Sequence, residues 1–339
     1  IVFLSKTGTV FSKINIFDVD NIVVNNDNNQ NIEILLDKAF LIGFQKLIEK
    51  ILKDVDAKNI SKTNLVDIKN LISSYQIIEN NELTTKSKIS INLSFNREKM
   101  NKFFYNKNIS YAEIYKTDIV LFPLILEEDN YLIYSENYFF NNWNKKKKKF
   151  SNNFINYILP LESVEDIQFI NQNKKNFNNL EIKKILAKYD VKDYIFLIIS
   201  PDLKNLDIFL KGSLSGNSII KNFKIPYIDD NNDSSFDNAI EEIKFEISEL
   251  WKTQNLIDTS TPSFLNVILD INKKSDLLKL QQSLNKIELI ENYQVLELNK
   301  DYAKLRIKYL GKINKIKLRF IQEGIKVFLD NSQWKLKLI

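Results

Sequence analysis

Tyr302-Ala303-Lys304-Leu305-Arg306-Ile307-Lys308-Tyr309 alternates apolar and polar residues without a break. A period of two sends successive side chains to opposite faces of a strand. Leu305, Ile307 and Tyr309 therefore share a face suited to a core, and Lys304, Arg306 and Lys308 share a face suited to water. Working backwards, Ile290–Leu298 reads as the hairpin partner across Asn299-Lys300-Asp301. Before it, Phe264–Ile271 is a strand, and Ser275 is placed to cap a helix bearing Leu277, Leu278, Leu280 and Leu284. Working forwards, Ile313, Ile316, Phe320 and Ile321 form an inward helical stripe closed by Gly324. Val327–Leu329 and Trp334–Leu338 finish as paired strands around Asn331-Ser332. The order βαββαβ is the ferredoxin-like split arrangement. It sets the expected class for the chain: α+β or mixed α/β, in tandem small modules.

Two further modules precede this one. In residues 13–115, residues 15–24 alternate like an opening strand and an Asn-rich turn runs from Asn25 to Asn31. Ile32–Leu52 then places Leu36, Ala39, Phe40, Gly43, Leu47 and Ile51 on one helical face. Ala39 and Gly43, one turn apart, would let this helix lie close on a sheet. A short helix over Leu65–Ile72, strands at Tyr75–Ile78 and Lys86–Phe95, and a helix with Met100, Phe103 and Phe104 capped by Asn96 complete the module.

Residues 116–257 read differently. Ile119–Leu126 is a continuous apolar run, as expected of a strand covered on both faces. Ile155–Leu161, a helix near Leu180–Lys188, the strand Tyr194–Ser200, a meander of Leu206–Lys211 and Ser218–Ile225, and a helix over Asp237–Trp251 follow. Gly212 and Gly216 read as turn residues of the meander. Strand directions are expected to be mixed.

Composition limits the chemistry. The 339 residues contain no His and no Cys, and only Arg97, Arg306 and Arg319 among 48 basic residues are arginine. Imidazole and thiolate catalysis, zinc–thiolate sites and disulfides are excluded. The excess of Lys, Asn, Ile, Phe and Tyr follows AT-rich codons, so the two absences reflect the genome as much as the mechanism. Net charge is +5, and residues 258–339 hold 15 basic against 9 acidic side chains, a net of +6. No apolar run approaches the roughly 18 residues of a membrane helix. Residues 1–12, with Ile1–Leu4 and Val10-Phe11-Ser12, are read as a signal-peptide remnant, although Lys6 interrupts the apolar stretch.

No segment carries a catalytic, cofactor-binding or metal-binding signature, so none of those residues is assigned and no cofactor is expected. Asp229, Asn231 and Asp233 have calcium-loop spacing, but Ser234 and Ile240 stand where Gly and Glu are needed. Lys6-Thr7-Gly8 and Ser283-Leu284-Asn285-Lys286 match serine β-lactamase fragments in the wrong order. Glu162, Glu165 and Asp166 cluster after Pro160, yet no basic or hydroxyl partner is identifiable nearby. The surface-interaction candidates are Trp143 and the run Lys145, Lys146, Lys147, Lys148 and Lys149, flanked by Phe139, Phe140, Phe150, Phe154 and Tyr157. Lysines interleaved with aromatics suit single-stranded nucleic acid or an anionic membrane surface; the plainer reading, and the favoured one, is a solvated lysine loop between buried aromatic segments. The open face of the C-terminal sheet shows Lys304, Arg306 and Lys308 without a clear stacking aromatic, so base recognition in that mode is not supported.

Laid out in this order, the chain resembles an uncharacterised proteobacterial family, the domain of unknown function 2066 group. The resemblance rests on Phe17-Asp18-Val19, the helix through Ala39 and Phe40, Ile89–Phe95, Leu121-Phe122-Pro123-Leu124, and most specifically Leu159-Pro160-Leu161-Glu162-Ser163-Val164-Glu165-Asp166. The family's first helix is rich in Arg and Ala where this chain has Lys and Ile. The resemblance implies export and a periplasmic or envelope location, with the cytoplasm as the alternative, and brings no catalytic residues. The expected function is a non-enzymatic envelope protein acting on protein partners as an interaction or assembly factor. The alternative is a nucleic-acid or anionic-surface binder using Lys145–Lys149 and the basic C-terminal module. A hydrolase independent of His and Cys is third.

Overall fold

The computed structural model describes residues 16–25, 31–78, 88–127, 130–145, 154–172, 183–186, 188–189, 191–227, 234–258, 263–273 and 275–339, and these form a mixed α+β protein with several sheets. The expectations for Ile1–Ser12, for Lys6-Thr7-Gly8, for Asp229–Asp233 and for Lys146–Lys149 lie outside the described residues.

The N-terminal part contains β1 (Asp18–Asn25), α1 (Ile32–Ile51), α2 (Asp54–Ile60), α3 (Leu65–Leu71), β2 (Ile72–Ile78), β3 (Lys88–Phe95), α4 (Arg97–Lys107) and β4 (Tyr111–Ala112). An antiparallel sheet runs β1-β3-β2, and α1 lies across β1 and β3. Gly43 makes that approach possible. A Cβ there would stand 2.6 Å from Leu93 Cδ2 and 2.7 Å from Ile22 Cδ1. The buried stripe includes Leu35 in place of the expected Leu36, because Leu35, Ala39 and Gly43 line up one turn apart. Asn96 caps α4, its Oδ1 accepting from Lys99 N–H at 3.0 Å.

The chain continues through β5 (Thr117–Glu127), β6 (Asn130–Leu132), a 3₁₀ turn (Tyr134–Glu136), α5 (Tyr138–Asn142), β7 (Ile155–Ile158), α6 (Val164–Gln172), α7 (Lys183–Leu186), β8 (Asp193–Pro201), β9 (Asn205–Leu214), β10 (Asn217–Pro226) and α8 (Ser234–Gln254). The sheet order is β10-β9-β8-β5-β6, with β7 beside the first half of β5. Strands β5, β7 and β8 are parallel and the remaining pairs antiparallel, the mixture expected. Val120, Phe122, Leu124, Phe196 and Ile198 pack with Tyr134, Ile170 and Ile185 on one face. Ile119, Leu121, Ile195, Leu197 and Ile199 are buried on the other. The continuous apolar run in β5 thus reflects burial on both sides.

One glycine reading needs correction. Gly216, at φ +78°, is a turn residue between β9 and β10. Gly212 instead sits inside β9, where a Cβ would stand 2.1 Å from the carbonyl oxygen of Tyr194. It is required by close backbone approach to β8, not by a turn.

The last segment holds β11 (Leu256–Ile257), β12 (Ser263–Asp270), α9 (Asp276–Lys286), β13 (Ile290–Leu298), β14 (Tyr302–Tyr309), α10 (Ile313–Gln322), β15 (Ile325–Asp330) and β16 (Gln333–Leu338). Its sheet order is β13-β14-β12-β16-β15. Strand β16 runs parallel to β12, while β15 pairs antiparallel with β16 at the edge. In a four-stranded split βαβ sheet the strand after the second helix lies beside the first. Here that strand, β15, is outermost, and β16 occupies the inner place. Leu280 and Leu284 of α9 and Ile316 and Phe320 of α10 are buried, but Ile321 is 55% exposed, outside the expected stripe. Ser275 makes no capping bond. The Asp276 carboxylate instead accepts from the backbone N–H groups of Asn272 (3.0 Å) and Lys273 (2.8 Å).

The described residues up to Glu113 join Leu256–Ile339 in one compact unit, and Ile114–Asn255 form a second. Within the first, β4 pairs with β11. The buried Glu113 carboxylate accepts from the Arg319 guanidinium, with Lys315 Nζ at 3.7 Å, and Arg97 approaches Glu288 at 3.6 Å. The N-terminal and C-terminal segments therefore share one unit, and the central segment is an insertion in the chain.

Candidate functional site

The carboxylates after Pro160 acquire partners that the sequence left invisible. Ser163 stands at the start of α6 and its Oγ accepts from Asp166 N–H at 3.4 Å. Such a side chain satisfies one of the unpaired amides of a helix N-terminus. Asp166, only 4% exposed, receives Lys188 Nζ at 2.9 Å and the Tyr134 hydroxyl at 3.3 Å. Lys188 also donates to Ser163 Oγ at 3.2 Å, and Ser163 donates to Glu165 at 2.6 Å. Lys188 lies 22 residues beyond Asp166, so local spacing could not have found it.

A serine beside a lysine suggests a nucleophile and its base. The electrostatics oppose it. A lysine base must have its pKa depressed toward neutrality by burial. The hydrogen bond that Lys188 donates to Asp166 instead raises the Lys188 pKa above its ordinary value. Ser163 and the backbone hold Glu165 below the usual carboxylate range, so it too keeps its charge. The cluster is a helix cap tied by an ion pair, and Tyr134, whose φ of +56° is unusual for an aromatic residue, seals it from inside the core.

A second polar cluster was not anticipated. Asp193, 7% exposed, accepts from Ser215 N–H at 2.8 Å and from the Thr117 hydroxyl at 3.3 Å. Asn255, fully buried, donates to Ser215 Oγ at 2.7 Å and accepts from the Tyr115 hydroxyl at 3.2 Å. These bonds pin the β9–β10 turn to both ends of the inserted unit. Burial raises the Asp193 pKa.

The lysine-run reading changes in one part. Trp143 is fully buried, its ring 5.4 Å from that of Tyr157 and 5.6 Å from Lys244 Nζ. Trp143 is therefore a core residue and not a surface platform, because its ring packs between Tyr157 and the Lys244 side chain. Phe154 is buried as well, 4.8 Å from Trp251. Lys145 is exposed, while Lys146, Lys147, Lys148 and Lys149 lie outside the described residues.

The open face of the C-terminal sheet is the remaining candidate. Helices α9 and α10 both follow strands whose inward residues are Leu265, Val267, Leu269, Leu305 and Ile307, all buried. The opposite face arrays side chains in cross-strand rows. Phe264, Lys308 and Asn292 form one row; Asn266, Arg306 and Gln294 the next; Ile268, Lys304 and Glu297 a third. None of these nine is buried. Phe264 is 50% exposed, and the Arg306 guanidinium carbon lies 4.3 Å from its ring centroid. The stacking aromatic missed in the third strand stands on the first strand beside it. Phe264 opens an otherwise ordinary apolar run, and only the register with Lys308 assigns it to this face.

Among the described residues no group of three or more acidic side chains is placed to hold a metal ion, and no helix is long and apolar enough to cross a membrane. A shallow apolar groove of about 350 Å³ lies between Leu41, Phe44, Gln45 and Ile68, and none of its lining residues belongs to a polar cluster above. The chain matches no protein-family model, no curated protein and no solved structure.

Proposed function

We propose that this chain is a non-enzymatic binding protein. What supports the reading is that the carboxylate, lysine and serine groups of both polar clusters in the inserted unit are engaged in one another's hydrogen bonds. Within this reading, the C-terminal module is a variant of the ferredoxin-like βαββαβ arrangement in which a fifth strand, β16, stands between β12 and β15. The resemblance to the domain of unknown function 2066 group supports an exported envelope location, and the tandem of small modules without a catalytic or cofactor signature supports a role in binding other proteins as an assembly factor.

The test has two arms. Fractionation of cells expressing the full-length protein should recover it with the envelope; recovery in the soluble cytosol would sink the location. Incubation with ester, phosphomonoester and peptide substrates should give no turnover. Turnover abolished by Ser163→Ala would overturn the non-enzymatic reading.

The Phe264–Arg306 pair favours a second reading, in which the open sheet face binds a polyanion. Arg and Lys in rows on a solvated face attract phosphates in a salt-dependent way.

A further inference from the structure

We infer that the open face of the C-terminal sheet binds single-stranded nucleic acid across β12, β14 and β13, an inference that rests on the polyanion reading. Three features narrow the ligand from any polyanion to this one. The first is linear charge. Lys304, Arg306 and Lys308 recur at two-residue steps along β14, about 7 Å apart for an extended strand. Cations in a line suit a chain of phosphates better than one phosphate group.

The second is a stacking platform. Arg306 lies over the ring of Phe264, so a planar guanidinium backed by an aromatic faces solvent beside a half-exposed ring edge. Bases stack on aromatic rings and on guanidinium planes alike. The third is hydrogen-bonding capacity in the same rows. Asn266 and Gln294 flank Arg306, and Asn292 flanks Lys308. Amides carry both donors and acceptors and can meet base edges. A lipid surface would make no use of them.

The acidic residues of the face offset this pattern only in part, at Lys308, and leave Lys304 and Arg306 outside any ion pair among the described residues. Glu291 is engaged with Lys308 and Asp330 with Lys335, each at 2.9 Å, and Glu297 accepts from the Tyr302 hydroxyl. Lys326 and Lys337 extend the positive side across β15 and β16, opposite one another in register.

The experiment is fluorescence anisotropy of labelled single-stranded RNA and DNA oligonucleotides with the full chain. The duplex of the same sequence, inorganic polyphosphate and phosphatidylglycerol vesicles serve as competitors. The single strand should bind best, with affinity falling as salt rises. Phe264→Ala should weaken it about five- to a hundredfold, and Lys304→Gln should flatten the salt slope by about 0.7. Both variants should keep the wild-type melting temperature, since neither side chain is in the core. If polyphosphate or vesicles compete as well as the single strand and Phe264→Ala has no effect, the nucleic-acid inference fails while the polyanion reading stands. If no polyanion binds, both fail.

Discussion

The central and C-terminal sheets handle burial in opposite ways. Strands β5 and β8 present apolar side chains to both sides, and Phe122 stacks on Phe196 with ring centroids 4.6 Å apart between the sheet and its helices. Strand β14 presents Leu305 and Ile307 to helices and Lys304, Arg306 and Lys308 to water. A sheet covered on both faces uses every side chain for packing. A sheet covered on one face leaves half its side chains free of the core, and their identities can then answer to a ligand. The sharpest test compares two phenylalanines in chemical denaturation. Phe122→Ala, at a site 2% exposed, should cost about 3–5 kcal/mol through lost transfer energy and the cavity left behind. The same truncation at Phe264 should stay within about 0.5 kcal/mol, as for an ordinary surface substitution. Comparable losses at the two sites would remove the distinction between the sheets.

The next effect in size concerns how closely strands approach. Gly212 lies where β9 meets β8, and an added Cβ would stand 2.1 Å from Tyr194 O and 3.1 Å from Ile195 Cα. Those neighbours are backbone and cannot rotate away. Gly212→Ala is therefore expected to cost about 3 kcal/mol, the upper end for overpacking. The strands of the C-terminal sheet, β12 through β16, contain no glycine. A thermal melt in which Gly212→Ala matches wild type would mean that β8 and β9 have room to separate, and that the central sheet is less tightly covered than its burial implies.

Local pattern made much of this architecture legible. Alternation in Tyr302–Tyr309 and the unbroken run Ile119–Leu126 were enough to tell a one-sided strand from a two-sided one, because side-chain direction follows from backbone period alone. The Ala39–Gly43 pair was likewise enough to bring α1 down onto its sheet. What escaped was set by placement across long stretches of chain. Lys188 meets Asp166, and Arg319 meets Glu113 across 206 residues, and no spacing rule encodes either pair. Strand β16 takes the inner position that order alone assigns to β15. Phe264 reads as the start of a core strand until register sets it beside Lys308. The most polar-looking candidate, the aromatic-flanked lysine run, lost Trp143 to the core because a bulky ring next to lysines reads the same whether it faces water or packs beneath them.

The smallest expected effect tests what two-sided burial costs a charged group. Asp193 sits at the start of β8 with 7% exposure, whereas Asp270 at the end of β12 stands in water. Burial is the largest influence on Asp193 and raises its pKa above 3.8, against the hydrogen bonds from Ser215, Thr117 and Gly216 that lower it. A carboxyl that holds its proton more tightly when folded stabilises the fold fully below its unfolded pKa. That contribution is lost as pH rises through the folded value. At neutral pH the buried carboxylate is thus a net liability. Asp193→Asn keeps an acceptor for the Ser215 N–H and removes the charge. It should melt at or above wild type at pH 7, by no more than about 4 °C. The advantage should shrink as pH is lowered toward 3.8, because the folded wild-type side chain takes up its proton above that value. A variant that is less stable at pH 7, with a deficit that grows with pH, would show that the hydrogen bonds to the carboxylate outweigh its desolvation.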